Sequence, residues 1–595
     1  MAAVRYRLSM PEPHTHLLHV ELEVDGVGSA ASLAMPSWTP GSYLMREFPR
    51  NVQGFAATDG AGAPLSWTKA DKNRWRVDAP ADGALRVSYQ VYANELTVRT
   101  SHLDATHALV NGASVFLYPE DRAGEPLSVQ VDAPDGWRIT TALRPGEGGF
   151  VAPGYDELVD APMEIGTHRL LEWEVAGKTH RWAIWGRGNY DEQRLAADTS
   201  RIILAEEALF GTLPYPDYTF IVHLTPGGGG GLEHRDSTVL LADRWAFRGQ
   251  AYERFLGLVA HEFFHLWNGK RIRPAVLGPF DYTAENYTRD LWVVEGITSY
   301  YTDLLLRRAG LITSQRYLER LAEAIARFQA IPGRAVQTLA DSSWDTWIKF
   351  YRPDPNTPNS SISYYEKGAL VAFLLDLLIR SATDNERSLD DVMRRLWAEY
   401  GAPDVGFPEG EVERIAAEVA GTSLADFFDL ALRGTAELPF ESILETAGLV
   451  LRPSHELAPA PFPAIEASTR TEVRTGLQFR PEGGRTLVSH VLADTPGYRA
   501  GVNAGDELVA LDGVRITPDT LHPRLAERRH GDRLPLTVFR RDELLTLELE
   551  VELVPPARLT LRLAASPTPG QQRLLDDWLR VDVPEAPSVE VRRPA

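Results

Sequence analysis

The sequence predicts a multidomain α+β protein with a β-rich first third, a long helical middle and a β-rich final part. Three observations carry this expectation. Apolar and polar residues alternate through residue 175, apolar residues recur at helical spacing from about 190 to 450, and short strand patterns return after a proline-rich stretch. At 595 residues the chain is too long for one core. A hydrophobic fraction of 44% with 14 tryptophans indicates packed globular domains.

Residues 1–175 read as an antiparallel, sandwich-like β domain. His19-Val20-Glu21-Leu22-Glu23-Val24 and Leu85-Arg86-Val87-Ser88-Tyr89-Gln90-Val91 alternate cleanly. Within it, Met35 to Tyr43 is a loop dense in aromatics and turn formers. Residues 176–452 form the helical domain: a helix over 190–210, a strand over Tyr218–Leu224, five glycines from Gly227 to Gly231, then helices. Gly368 to Leu378 is apolar enough for a buried helix and too short to span a membrane. Residues 453–465 are a Pro-rich linker. Residues 466–555 return to strands, with an Asp512-Gly513 turn. Residues 556–595 read as a C-terminal tail with no structural signal.

Composition narrows the function. A net charge of −21 argues against a nucleic-acid partner, which needs clustered Lys and Arg. With no cysteine, any metal must be held by His and carboxylates. The first residues lack the apolar core of a secretion signal, and no segment reaches membrane-spanning length. The expectation is a cytoplasmic protein without a membrane partner; a processed chain from the periplasm or a secreted source would read the same way. Oligomeric state is not legible.

The run His261-Glu262-Phe263-Phe264-His265 carries the chemistry. On a helix, positions four apart share a face, so the two imidazoles can grip one zinc ion while Glu262 serves as general base. The proline-free lead from Tyr252 to Ala260 supports that helix. A catalytic zinc needs a third protein ligand. Glu285 lies in loop-like surroundings. Glu295 follows Leu291-Trp292-Val293-Val294 and precedes Gly296-Ile297-Thr298-Ser299-Tyr300-Tyr301, where a carboxylate is costly to bury unless it is paired or metal-bound. Glu295 is therefore the expected ligand and Glu285 a loop or outer residue. Asn268 and Arg271 exclude the metzincin extension.

HExxH followed by Trp292-Val293-Val294-Glu295-Gly296 resembles the gluzincin aminopeptidases. With His265-Leu266-Trp267-Asn268 included, the string is similar to the glycyl aminopeptidase family over nearly the whole chain. The interval between His265 and Glu295 is longer than in the larger aminopeptidase family, through an insertion containing Pro274, Gly278 and Pro279. The resemblance implies a thermolysin-like catalytic domain, a C-terminal PDZ domain, one zinc per chain and peptide substrates with a free N-terminus, small residues such as Gly and Ala preferred.

The same resemblance gives roles to further residues. Gly230-Gly231-Leu232-Glu233-His234 is similar to the segment whose Glu holds the substrate's α-amine, so Glu233 becomes the amine anchor and Gly230 and Gly231 substrate-facing backbone. Glycines permit close approach there, and a strand edge can pair with an extended peptide. Tyr364-Tyr365-Glu366-Lys367-Gly368 implies Tyr365 as the oxyanion partner, with Tyr364 as the substrate-side alternative. Thr475-Gly476-Leu477-Gln478-Phe479 with Gly505-Asp506 looks like a PDZ carboxylate loop, so Gly476, Leu477, Gln478 and Phe479 are the candidates for holding a peptide C-terminus. In the β domain, His102-Leu103-Asp104 and Asn111 resemble segments near the cleft, Asn111 being better read as a turn residue before Gly112. Two other readings stay open: a zinc endopeptidase fed by the PDZ domain, and an inactive peptide-binding scaffold.

Overall fold

The computed structural model describes residues 3–80, 82–453, 471–555, 558–583 and 589–594. The N-terminal β domain is built around a seven-stranded sheet, in the order Arg144–Gly146, Gly149–Ala152, Leu127–Asp132, Val4–Ser9, Leu17–Asp25, Ala84–Tyr92 and Val52–Asp59. Alternation sets its faces: Leu18, Val20, Leu22 and Val24 are buried while their neighbours point outward. These side chains share one core with Leu33, Trp75 and Val77 from a second, four-stranded sheet. The domain is not purely antiparallel, because Val4–Ser9 pairs in parallel with Leu127–Asp132. A third sheet carries His102–Leu103, His107–Val110, Arg138–Thr141 and Met163–Gly166.

The second, helix-rich domain opens on a five-stranded sheet ordered Arg169–Val175, Lys178–Trp185, Asp217–Thr225, Ser237–Asp243 and Gly231–Glu233. The strand Arg169–Val175, placed with the first domain by a boundary at 175, therefore belongs to the second. Its alternating pattern is compatible with either sheet, and only its pairing with Lys178–Trp185 decides. The helix Glu192–Phe210 starts at Asp191, whose side chain accepts from the Arg194 N–H, and stops at Gly211 in a left-handed conformation. Helices then fill the domain to residue 446.

The strand domain after residue 470 has its own core around Val488, Leu521, Leu536, Val538 and Leu549, beneath the helix Pro518–Ala526. It touches the helix-rich domain through Asn359, whose Nδ2 donates to the Val491 carbonyl at 2.9 Å and whose Oδ1 accepts from the Ala493 N–H at 2.7 Å. Most of the linker at 453–465 lies outside the described residues; Pro453 itself ends the strand Leu449–Pro453.

The segment 556–595 is not a tail where it is described. Leu559–Leu563 pairs antiparallel with Leu449–Pro453, and the helix Pro569–Trp578 returns to the catalytic core. Trp578 is fully buried, stacks on Phe373 at 5.6 Å and donates from Nε1 to the Tyr300 hydroxyl at 3.0 Å. Surrounding prolines obscure this helix in the sequence, but Leu574, Leu575 and Trp578 sit on one helical face.

Candidate metal centre and cleft

The helix Gly249–Phe264 carries His261 and Glu262, and His265 caps its end in helical conformation. Both imidazoles are held from outside by Nδ1. His265 Nδ1 lies 2.8 Å from the Asn268 carbonyl, which can only accept. His261 Nδ1 lies 3.1 Å from the Thr302 hydroxyl, which already donates to the Thr298 carbonyl. Each ring thus uses its proton at Nδ1, leaving an Nε2 lone pair free for a metal. Those two Nε2 atoms are 3.1 Å apart, and Glu295 Oε2 lies 3.5 Å from one and 3.2 Å from the other. Three donors about 2.0–2.1 Å from a tetrahedral centre stand ~3.3 Å from one another. The donor set fits a zinc ion.

Electrostatics asks for a cation at the same point. Burial lowers the His261 imidazole, whereas at His265 the charges of Glu295 and Glu233 outweigh burial and lift it to about 10. Burial alone would raise Glu295, but His265 and His261 hold it at about 2. One positive charge shared by these donors satisfies all three.

Glu295 reaches the helix through a local irregularity. Residues Trp292–Ile297 form a π-helical turn ahead of the helix Thr298–Arg308. Asn268 Nδ2 donates to the Val293 and Val294 carbonyls at 2.8 and 3.1 Å and to the Thr298 hydroxyl at 3.0 Å. One buried amide therefore orients His265 through its backbone and steadies the turn bearing Glu295. Gly296 then packs against Gly368, where an added Cβ would stand 2.6 Å from the Gly368 Cα. That approach brings the helix Tyr364–Ala382 against the turn that carries Glu295.

A cavity of about 590 Å³ opens over these groups, lined by His261, Glu262, His265 and Glu295 together with Glu233, Gly230, Gly231 and Tyr365. Glu262 is buried, and its Oε2 has no hydrogen-bond partner among the described residues. Burial pushes its carboxyl up to about 8, with Glu233 and Glu295 adding to the rise; a divalent cation beside it favours the ionised form. Gly231 belongs to the edge strand Gly231–Glu233, and a side chain there would collide with the Glu262 carboxylate. Gly230 adopts φ +113°, which favours glycine. Glu233 is 6% exposed.

The two tyrosines separate. Tyr365 lines the cavity beside His261, ring centroids 6.2 Å apart. Tyr364 points the other way into the core, where its hydroxyl accepts from Thr346 Oγ1 at 3.1 Å, so its expected substrate-side place is not realised. Adjacent helical residues point about 100° apart, and the sequence does not say which direction holds the metal. Glu285 sits in the loop before the π-helical turn, away from the donor cluster. Asn111 caps the short turn Gly112–Ser114 and is buried, in keeping with a turn role. In the PDZ domain Gly476 has φ +73°, Leu477, Gln478 and Phe479 lie in the edge strand Leu477–Glu482, and Thr475 Oγ1 meets His522 Nε2 of the neighbouring helix at 3.0 Å.

Further cavity residues have no motif to announce them, among them Gly41, Arg99, Phe350 and Tyr351. Gly41 comes from the aromatic loop of the N-terminal domain. Trp38 anchors that loop by inserting against Trp347, with ring centroids 5.1 Å apart, and donating to the Asp281 carbonyl at 2.9 Å. The result presses Gly41 against the Glu233 carboxylate, leaving no room for a Cβ.

A second His–Glu cluster lies at the join between the first two domains. Glu164 takes His107 Nδ1 at 3.0 Å on one oxygen and His223 Nε2 at 2.8 Å on the other. All three side chains are completely buried. Burial would raise Glu164, but His223 and His107 hold its carboxyl at about 2.

Three family models match the chain: the peptidase M61 N-terminal domain over residues 5–167, M61 glycyl aminopeptidase over 254–371 and a PDZ domain over 473–551. The crystal structure of an aminopeptidase N family protein from Idiomarina loihiensis is 33% identical, with a TM-score of 0.89, covering 97% of this chain and 100% of that one. An M1 zinc metallopeptidase from Deinococcus radiodurans is 16% identical over 73% of this chain and 94% of its own, with a TM-score of 0.47. None of the curated proteins matches.

Proposed function

The chain belongs to the M61 glycyl aminopeptidase family and is a metallo-aminopeptidase, and on that premise we propose that it removes single residues from the free N-terminus of peptides with one zinc ion held by His261, His265 and Glu295. The observation that carries this reading is the convergence of two Nε2 lone pairs and one carboxylate oxygen, 3.1 to 3.5 Å apart, on the floor of a cavity that also holds Glu262 and Glu233. Zinc supplies Lewis acidity there, polarising a carbonyl and making water a better nucleophile. Glu262 accepts the proton of the attacking water and delivers it to the leaving amine. Tyr365 donates its phenolic hydrogen bond to the oxyanion that develops.

Glu233 holds the substrate ammonium. The contact of Gly41 with its carboxylate supports an exopeptidase over an endopeptidase, because a chain extended past that ammonium would run into the loop. The same closeness supports small N-terminal residues, Gly and Ala. The exposed edge of Leu477–Glu482 supports a peptide C-terminus as partner of the PDZ domain.

A glycyl arylamide and an N-acetylated peptide, each with and without chelator, test the reading. Hydrolysis of the free amine alone, abolished by chelator and restored by zinc, is expected. Cleavage of the blocked peptide would sink the exopeptidase assignment, and inactivity on both at full zinc occupancy would favour a scaffold. Glu233→Ala should lower kcat/KM for the arylamide by roughly 10²-fold with unchanged zinc content.

A further inference from the structure

Two cavities meet at Arg99. One is the catalytic cleft; the other, about 660 Å³, is formed by the N-terminal β domain and lined by Arg46, Arg50, Glu95, Ser101 and Ser114 as well as Arg99. Together they have the size of a site for a small peptide.

The charges of this second cavity are unbalanced. Among the described residues Arg46 and Arg99 take part in no ion pair, and Arg99 Nε is buried without a hydrogen-bond partner. Among the described residues the Arg46 guanidinium donates only to the Leu44 carbonyl, at 3.3 Å. Arg50 and Glu95 face each other at 3.9 Å with both side chains largely in solvent. The three buried arginines among the described residues are each paired closely, Arg308 with Asp390 at 2.9 Å, Arg380 with Asp376 at 3.1 Å and Arg271 with Asp236 at 3.0 Å, whereas Arg46 and Arg99 are partly buried side by side in one cavity. Burial, and then the charge of Arg99, depress the Arg46 guanidinium to about 10. Two guanidiniums that repel each other in a cavity, inside a protein of net charge −21, form a site for an anion.

Substrate polarity says which anion. The ammonium end belongs at Glu233, with which Arg99 makes no ion pair. A peptide running from Glu233 past the metal ligands carries its opposite charge at the other terminus. We propose that Arg99, backed by Arg46, receives the C-terminal carboxylate of the substrate, so that the preferred substrates are free peptides only a few residues long. This rests on the aminopeptidase reading, with the amine at Glu233.

The test compares kcat/KM for Gly-Ala-Ala as the free acid, for its C-terminal amide and for Gly-Ala-Glu amide, after the zinc-loaded enzyme has been assayed on a glycyl arylamide. The free acid should exceed the amide by roughly ten- to hundred-fold, mostly through KM. Gly-Ala-Glu amide should behave like the other amide. In Arg99→Gln the acid-to-amide ratio should fall to within about threefold of one, with Arg99→Lys between. Equal use of acid and amide by the unaltered enzyme would overturn the proposal, as would a ratio that survives in Arg99→Gln. So would an equal gain from the Glu side chain, which means general carboxylate recognition and not a C-terminal site. Should Arg99→Gln fail to fold, the ratio in the unaltered enzyme and in Arg46→Gln still decides. Failure on the arylamide itself would instead overturn the aminopeptidase reading, and this inference with it.

Discussion

Two clusters in this protein use the same three residue types, two histidines and a glutamate, and bury all of them except the partly exposed His261, yet they are built for different ends. At His261, His265 and Glu295 each imidazole is tied outward at Nδ1, so two lone pairs and one carboxylate oxygen point at a common centre. At His107, Glu164 and His223 the carboxylate stands between the rings and gives one oxygen to each. The first cluster borders a cavity, and the second is sealed with no exposed atom. Residue type and burial are thus poor guides to a metal centre. The direction of the lone pairs and access for substrate make the difference. The sealed cluster joins two strands of the N-terminal domain to a strand of the catalytic sheet, as a charged clasp between domains.

Exchanging one carboxylate in each cluster probes this contrast most strongly. Glu295→Gln should lose zinc and lower kcat/KM by at least about 10³-fold, while Glu164→Gln keeps its zinc. Metal analysis of the two purified variants checks this, and zinc lost only from Glu164→Gln would reverse the assignment. Next in size, Tyr365→Phe should lower kcat by roughly 10²- to 10³-fold at unchanged zinc content. Tyr364→Phe, whose hydroxyl meets only Thr346 in the core, should stay within a few-fold in the same steady-state assay.

The smallest effect belongs to the clasp and appears in stability. Glu164 is held at about 2 against an ordinary value of 4.5, so its contribution is fully present above about pH 4.5 and is lost as pH falls towards 2. Glu164→Gln should therefore be less stable by about 3 kcal/mol near neutral pH. The gap should narrow at pH 3. Urea unfolding of both proteins at the two pH values measures it, and a gap that widens on acidification contradicts the clasp.

The convergence of His261, His265 and Glu295 in the candidate site was legible in the sequence because the spacing is local. His261 and His265 are one helical turn apart, and Glu295 stands out as a carboxylate inside an apolar run. The choice between Tyr364 and Tyr365 was narrowed but not explained, since it depends on how the helix Tyr364–Ala382 packs, which turns Tyr365 towards the cavity and Tyr364 into the core. Asn268 entered as part of the family string and as a departure from another motif, with no role of its own, although its amide ties the π-helical turn in place. The walls of the cleft were invisible. Gly41 and Arg99 lie more than a hundred residues before the motif and reach it through the packing of a separate domain. The clasp was hidden for the same reason, its members spread from His107 to His223. The segment after residue 555 was misread because a strand and helix that complete a distant core have no periodicity long enough to declare it.

That returning segment changes how the chain can be divided. Pro453 and Leu559 stand opposite each other on paired strands, so the PDZ domain leaves and re-enters the catalytic body at neighbouring points. It is a cassette carried on a loop, and not a module strung on the end. Cutting the chain after residue 453 strips Trp578 from the hydrophobic core, whereas excising 454–558 and closing the gap with a short turn leaves that core whole. Insertion and exchange at this point are open to evolution, and to the engineer, without touching the candidate metal centre.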